Sequence, residues 1–434
     1  MINEGLKREI GVFGLATNSI NTIVGAGIFV LPAVVAARLG TAGILAYLFC
    51  GVLLSLIMLC YAEVGSKVTC TGGSYAYIES AFGKYAGFLT ANIFVIGASI
   101  AADAAVANAL ADTIAFAFPV FKQNFVRILF FLMVFSGLVT LNIRGVKQGI
   151  GLVKFSTVAK LLPLLFIITL GFTRVSFSNL EWKSIPLAND IGKMCLLLFF
   201  AFIGGETGLN VSGEIKKPGK TIPLGIFIAV ITVLVIYISL HIVAQGMLGA
   251  SLTKYSNAPL AEVARELIGP FGITLMLLGA GISMFGYLSG EVLNMPRIVF
   301  GAARDNVIPI KSLSKVHPKF ATPYIAIIVY SCLSFTLSVI GEFQQLAILA
   351  SASMLLIYLG VAAATIKIRL TGKNIPGSFN IPGGYIVPVL SIGAIVWFLS
   401  NLSGKEKIGM LIFVAILSAI YLAIYLIKKK NTSA

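Results

Sequence analysis

NSINTIVGAGIFVLP, residues 18–32, lies inside an apolar run from Ile10 to Ala37. That run is long enough to cross a bilayer core of ~30 Å. Its middle is built to stop being a helix. Gly25-Ala26-Gly27 puts two glycines within three residues, and each costs about 1 kcal/mol in a helix interior. In hydrocarbon, unpaired backbone groups survive only against protein or along a cavity, so a spanning segment that weakens its own centre points to a site at mid-depth. The plainer alternative is close packing, because small residues also let a second helix approach. A second interruption separates these readings. Leu196–Ser212 reads LLLFFAFIGGETGLNVS, with Gly204, Gly205 and Gly208 around Glu206. The first and sixth apolar runs therefore both break near their centres, five spans apart, which points to two inverted repeats with a substrate site between them.

The chain of 434 residues is 58% hydrophobic and 11% charged, with a mean hydropathy of +0.99. A soluble chain of this length carries about 25% charged residues, so this is a polytopic membrane protein. The opening MINEGLKREIG mixes both charge signs before an overlong apolar run without a small-residue cleavage site, which argues against a cleaved signal peptide. Cys50, Cys60, Cys70, Cys195 and Cys332 are scattered and odd in number, and His241 and His317 stand far apart. Neither set has the spacing of a disulfide framework or a metal site, so no cofactor and no metal are expected.

Twelve spans are expected, at 10–37, 42–66, 75–116, 125–143, 150–172, 190–213, 222–248, 270–303, 323–341, 343–369, 385–402 and 408–427. The fold class is thus an all-α polytopic membrane protein. Its first repeat is 10–172, its second is 190–369, helices 1 and 6 are discontinuous, and 385–427 adds two accessory helices. Between the seventh and eighth spans, NAPLAEVARELIG reads as a short helix outside the membrane, capped by Asn257. With both termini cytoplasmic, nineteen of the 32 basic residues fall on the inner side, ten on the outer side and three within spans. This follows the positive-inside rule and explains the net charge of +16 without nucleic acid.

Asp103, Glu206 and Glu291 fall within spans, where an ionisable group costs several kcal/mol unless it is paired or hydrated. Glu206 reads either as a gating or proton-carrying carboxylate or as an acceptor for N–H groups freed by the break. Asp103 shares a helical stripe with Asn92 and Ser99, and Glu291 shares one with Ser283, Tyr287 and Asn294. Each stripe reads either as the lining of a water-filled path or as a buried polar seam. Lys160, with Ser156 and Thr157 a turn earlier and Pro163 just after, reads either as a cation in place of bound sodium, able to exchange a proton, or as a fixed prop for the carbonyls of the broken first helix. Desolvation disfavours the charged form of such an amine. Lys154 reads as a snorkelling cation, and Arg297 as one that snorkels or pairs with a structural acid.

Six stretches in order carry a family resemblance: GAGIFVLP (25–32), GGSYAYIESAFGKYAGF (72–88), LNIRGVKQGIGLVKFSTVAKLLPL (141–164), FFAFIGGETGLNVSGEIKKPGKTIPLGI (199–226), PRIVFGAARDNVIP (296–309) and ATPYIA (321–326). The chain resembles the amino acid–polyamine–organocation (APC) superfamily, which implies a leucine-transporter-like fold. The resemblance implies that N–H groups of Gly25, Ala26, Gly27 and Ile28 hold a substrate carboxylate. It also implies that carbonyls of Phe202, Ile203 and Gly204 accept from its amino group. Glu206 matches the acidic residue of the AFxGxE motif, which the arginine/agmatine antiporter branch uses in gating and proton coupling. Phe200 stands where that branch has a gating tryptophan, and Lys160 where other branches have a lysine at a sodium position. Glu291 and Asp103 depart from that branch.

The expected substrate set is Ile23, Gly25, Ala26, Gly27, Ile28, Ser99, Asp103, Phe200, Phe202, Ile203, Gly204, Glu206, Tyr287 and Glu291, with Lys160, Glu206 and Phe200 for coupling and gating. The expected activity is amino acid transport across the cytoplasmic membrane by proton symport or exchange, leaning towards cationic amino acids or amines. The partners are the substrate, protons and the lipid bilayer, with the protein as monomer or homodimer. Competing readings are a non-transporting nutrient sensor on the same fold and another twelve-helix carrier. An embedded enzyme lacks a nucleophile–base pair.

Overall fold

The computed structural model describes residues 10–68, 72–145, 150–182, 186–209, 215–256, 258–304, 310–371 and 377–432, without the side chains of 150–157 and 427–432. Asn257 and the side chains of Lys154, Ser156 and Thr157 lie outside the described residues.

The described residues are predominantly helical, and Ile10 and Ile215 form an isolated β-type bridge. Among them, seven helical stretches are long and apolar enough to cross a membrane. They include α3 (Gly43–Lys67), α10 (Pro218–Leu248), α12 (Pro270–Arg304) and α14 (Phe343–Leu370). The first span is two short helices, α1 (Val12–Ile23) and α2 (Gly27–Leu39), and the sixth begins as α9 (Ala188–Leu198). None of these three is long enough to cross alone, because about 20 residues are needed.

The expected third span, 75–116, is not one rod. Residues Gly73–Phe82 form α4, and Gly83 at φ 86° turns the chain into α5 (Lys84–Asn92). A π-helix then runs Ile93–Ile100 before α6 (Ala101–Ala117). A π-helix turns less per residue than an α-helix. The stripe expected through Asn92, Ser99 and Asp103 is interrupted at Asn92, on the far side of the π-helix, where Asn92 bonds back to the Phe88 carbonyl at 2.8 Å, while Ser99 Oγ lies 3.5 Å from Met295 Sδ of α12. This α5–α6 span is the most enclosed of the seven, with 89% of its apolar window buried. By contrast the window of α16 (Gly404–Thr432) is 11% buried, so α16 is peripheral. It touches α5 through Tyr85, whose hydroxyl lies 2.8 Å from Ser418 Oγ.

Around α5–α6 pack α12, α13 (Tyr324–Ile340) and α14, while α1 and α3 pack on α10. The helix expected between the seventh and eighth spans is α11 (Pro259–Ile268). It docks on α2, α8 (Ile150–Gly171) and α12, and its Leu260 and Val263 are buried.

A buried ionic clasp joins α3 and α14 at one end. Glu63 accepts from Lys67 Nζ at 2.7 Å, from Arg369 through both its carboxylate oxygens, and from the Ile381 N–H at 2.9 Å. Phe379 N–H donates to Ser66 Oγ at 2.9 Å. The chain leaving α14 is thereby fastened across the end of α3.

Candidate functional site

The two interruptions meet. At the first, Val24 N–H still reaches the Ile20 carbonyl at 2.9 Å, and α2 restarts at Gly27 without a side-chain cap. The leading N–H groups of a helix have no carbonyl four residues back, so this end of α2 is a donor set with partial positive charge. At the second, α9 tightens into a 3₁₀ turn over Phe199–Phe202, Ile203 is extended, and Gly204 takes φ 114° before a second 3₁₀ turn, Gly205–Leu209.

Close approach explains two of the glycines. A Cβ on Gly27 would sit 2.7 Å from Ala201 Cβ, and one on Gly204 would sit 2.9 Å from Thr22 Cγ2 and 3.2 Å from its backbone. Packing and chain breakage, posed as alternatives from the sequence, are both present. Ser19 Oγ adds a bond from α1 to the Gly205 carbonyl at 3.1 Å. Tyr237 of α10 holds both ends: its hydroxyl lies 3.0 Å from the Ile23 carbonyl and 2.9 Å from that of Ala201. One hydroxyl has one hydrogen, so these carbonyls share a bifurcated donor.

Between the breaks lies a cavity of about 60 Å³. Of the expected residues, Ile23, Gly25, Ala26, Gly27, Ser99, Phe200, Ile203, Gly204, Glu206, Tyr287 and Glu291 line it. Four expected residues do not. Ile28 is fully buried in the core; Phe202 is also buried, its ring packed on Tyr237 at 5.1 Å; Asp103 is 0% exposed behind the wall. Lys160 is the fourth. Its Nζ donates to the Asn21 carbonyl near the end of α1, the placement expected of a prop. Of the remaining polar positions, Asn294 and Arg297 are exposed on α12.

The second break has spent its own polar groups. Glu206 Oε2 accepts the Gly204 N–H at 3.3 Å and the Tyr358 hydroxyl of α14 at 2.6 Å. The Gly204 carbonyl takes both the N–H and the Oγ1–H of Thr207, at 3.1 and 2.7 Å. That uses both its lone pairs, so the carbonyl expected to meet a substrate amine is already engaged, and Ile203 is left to offer its own. Among the described residues, two acids and no Lys or Arg line the cavity.

The sequence reading missed several lining residues. Ala98, Ala102 and Ala350 make a small-residue wall, with Thr22, Thr207, Phe94, Val106, Ala201 and Met354. Alanines in an apolar span carry no signal of what they face. At one end Phe200 packs edge-on against Phe343 at 5.8 Å. Phe343 shares the α14 stripe of Ala350 and Met354, and its chain neighbour Gln344 lines a second cavity of about 560 Å³ with Arg38, Lys193 and Glu406.

A family model described as amino acid permease matches residues 10–427. The chain belongs to the amino acid permease family. The permease is 29% identical over 416 residues to the serine/threonine exchanger SteT of Bacillus subtilis (strain 168), covering 92% of each chain. It is 25% identical over 437 residues to the branched-chain amino acid permease BcaP of the same organism, covering 96% of this chain and 93% of that one. It is 28% identical over 394 residues to the large neutral amino acids transporter small subunit 2 of Rattus norvegicus, covering 87% of this chain and 73% of that one. These relatives are transporters and not enzymes, and the permease is a multi-pass membrane protein.

Proposed function

We propose that this permease is a secondary transporter that carries an amino acid across the cytoplasmic membrane by alternating access, with both termini inside. On this reading it has twelve spans. Residues 10–172 and 190–369 are inverted repeats, and 385–427 is an accessory pair. One observation carries the proposal: the start of α2, which has no side-chain cap, and Glu206 line the same cavity. A zwitterion fits between them, its carboxylate on the helix N-terminus and its ammonium towards the Ile203 carbonyl and Glu206. The Phe200–Phe343 pair is the lid at one end.

Coupling by protons or by exchange, without sodium, follows from Lys160. Its ammonium lies against the Asn21 carbonyl, beside the broken end of α1, and a second cation there would face like charge. Two cavity acids with no basic side chain favour a cationic amino acid or amine. A neutral amino acid is the second reading, favoured by the substrates in the names of the relatives, and it requires one cavity acid to carry a proton.

Purified protein in liposomes, screened by competition with amino acids and amines under an imposed pH gradient, tests both readings. Saturable uptake that persists without sodium supports them, and binding without uptake would leave a sensor. Lys160→Ala is expected to abolish or uncouple uptake while the protein still folds. Unchanged pH-dependent uptake would remove the coupling role.

A further inference from the structure

The second cavity, of about 560 Å³, has no part in the transport reading. It is built on the same three elements as the cavity between the breaks. α2 gives Gly27 to the inner cavity and Val34, Ala37 and Arg38 to the second, seven to eleven residues on. At 1.5 Å per residue that is about 10–16 Å along the helix. α9 gives Lys193, Met194, Leu196 and Leu197 to the second cavity, and the chain just after it gives Phe200 to the inner one. The first turns of α14 give Gln344 and Ile348 to the second, and the next give Ala350 and Met354 to the inner one. A fourth wall is the turn from α15 (Ile386–Ser400) into α16, with Asn401, Ser403 and Glu406. Gly192 of α9 admits that turn, because a Cβ there would lie 2.2 Å from Asn401 Oδ1. The cavity lies at the start of α14 and the Glu63 clasp at its other end. With both termini inside, the cavity is therefore on the outer face.

Its charges differ from those of the inner cavity. Two cations and one acid line it. Arg38 spends one N–H on Asp190 Oδ1 at 3.3 Å, and a guanidinium has five. Lys193 is exposed and makes no ion pair among the described residues. Other cations are spent: Arg127 of α7 (Asn124–Ile143) pairs with Asp112, and Arg265 pairs with Glu262. Glu406 is fixed at the start of α16 by a capping box. Its Oε2 accepts the Ser403 N–H at 2.6 Å, and Ser403 Oγ accepts the Glu406 N–H at 3.3 Å. That leaves Oε1 for a ligand. Val34, Met194, Leu197 and Ile348 add apolar surface.

We propose that this second cavity is a capture site for an amino acid zwitterion, occupied before the cavity between the breaks. This rests on the transport reading. The carboxylate lies against Lys193 and the unspent donors of Arg38, the ammonium against Glu406 Oε1, and the side chain on the apolar surface. A metal cation would meet two like charges, and an anion without an ammonium would leave Glu406 unanswered. Pockets for small ligands span about 300–1,000 Å³, and this cavity falls within that range. An ion pair at a solvent-exposed site is worth about 1 kcal/mol or less, so the site holds its occupant briefly. That suits capture, which raises the substrate concentration at the entrance without trapping it.

Equilibrium dialysis of the full-length wild-type protein in detergent micelles, with tritiated L-serine, L-leucine and L-lysine as probes, counts the occupants without requiring a variant to fold. The expected result is two occupants per chain for at least one probe. One or none for every probe overturns the proposal. At the same probe concentration Lys193→Glu is expected to lose one occupant, and Lys193→Arg, which keeps the charge, to retain both. Glu406→Gln is the second variant and is expected to lose the same occupant. Two occupants in both charge variants overturn the proposal. Phospholipid that copurifies with the protein, fills the second place and is not displaced by the probes would make it a headgroup site and also overturn it. Two occupants in protein that moves none of the probes across liposomes would refute the transport reading alone.

Discussion

At residues 24–26 the chain lets go of its helix and α2 restarts without a side-chain cap, whereas at 203–204 it repairs the damage with its own side chains. Glu206 takes the loose N–H and Thr207 covers the loose carbonyl with both its donors. The first break has no polar side chain to do this: Val24, Gly25 and Ala26 can offer only backbone. The difference sorts the two halves by task. On the proposed transport reading, the first is a backbone cradle whose selectivity would be geometric. The second is already satisfied, and what it offers the cavity is the charge on Glu206.

The strongest way to break this comparison is at the first interruption. Gly27→Val would drive its side chain into Ala201, because even its Cβ would come within 2.7 Å of the Ala201 Cβ. The change is expected to cost about 1–3 kcal/mol of stability and, by shifting the cradle, to lower uptake on the order of a hundredfold. Gly25→Ala is the control, because the nearest neighbour of its new methyl is the Ile23 carbonyl at 3.9 Å. Its melting is expected to match wild type within about 0.5 kcal/mol. If both melt alike, the close-packing account of Gly27 fails.

Next in size is Glu206→Gln, which keeps an oxygen for the Gly204 N–H or the Tyr358 hydroxyl and removes the charge. Folded protein with uptake reduced about tenfold is expected. Uptake equal to wild type would make Glu206 a structural acceptor alone. The smallest effect belongs to Thr207→Val, which removes one of two donors from the Gly204 carbonyl. It is expected to cost about 1 kcal/mol in thermal melts and to disturb uptake less than Glu206→Gln. The reverse order would place the function of the second break in its backbone.

Both interruptions were legible in the sequence because glycine and a mid-span acid are expensive in a bilayer, and expense leaves a mark in residue choice. What stayed hidden lacks such a mark. The π-helix at Ile93–Ile100 is as apolar as any α-helix, so a stripe drawn with a period of 3.6 ran Asn92 onto the face of Ser99 and Asp103. In the fold Ser99 lines the cavity, and Asp103 is buried outside its lining. Phe202 sits between cavity-lining neighbours in the chain, yet the 3₁₀ turn points its ring at Tyr237. Tyr237, which tethers both breaks, is a lone tyrosine in the apolar stretch VLVIYISLH, and an isolated hydroxyl gives no hint of reaching two distant carbonyls. Lys160 was visible as a cation, but only the fold attached it to Asn21.

The clasp around Glu63 has a mechanical consequence. One carboxylate grips its own helix through Lys67, a second helix through Arg369 and the outgoing chain at Ile381. These three pieces therefore travel as one lever arm. Rocking of the kind proposed would pivot elsewhere, where the Tyr237 hydroxyl holds the ends of both breaks. Two spectroscopic rulers fixed on α3 and α14 near this clasp would keep their spacing through a full turnover, while rulers spanning α1 and α14 would not.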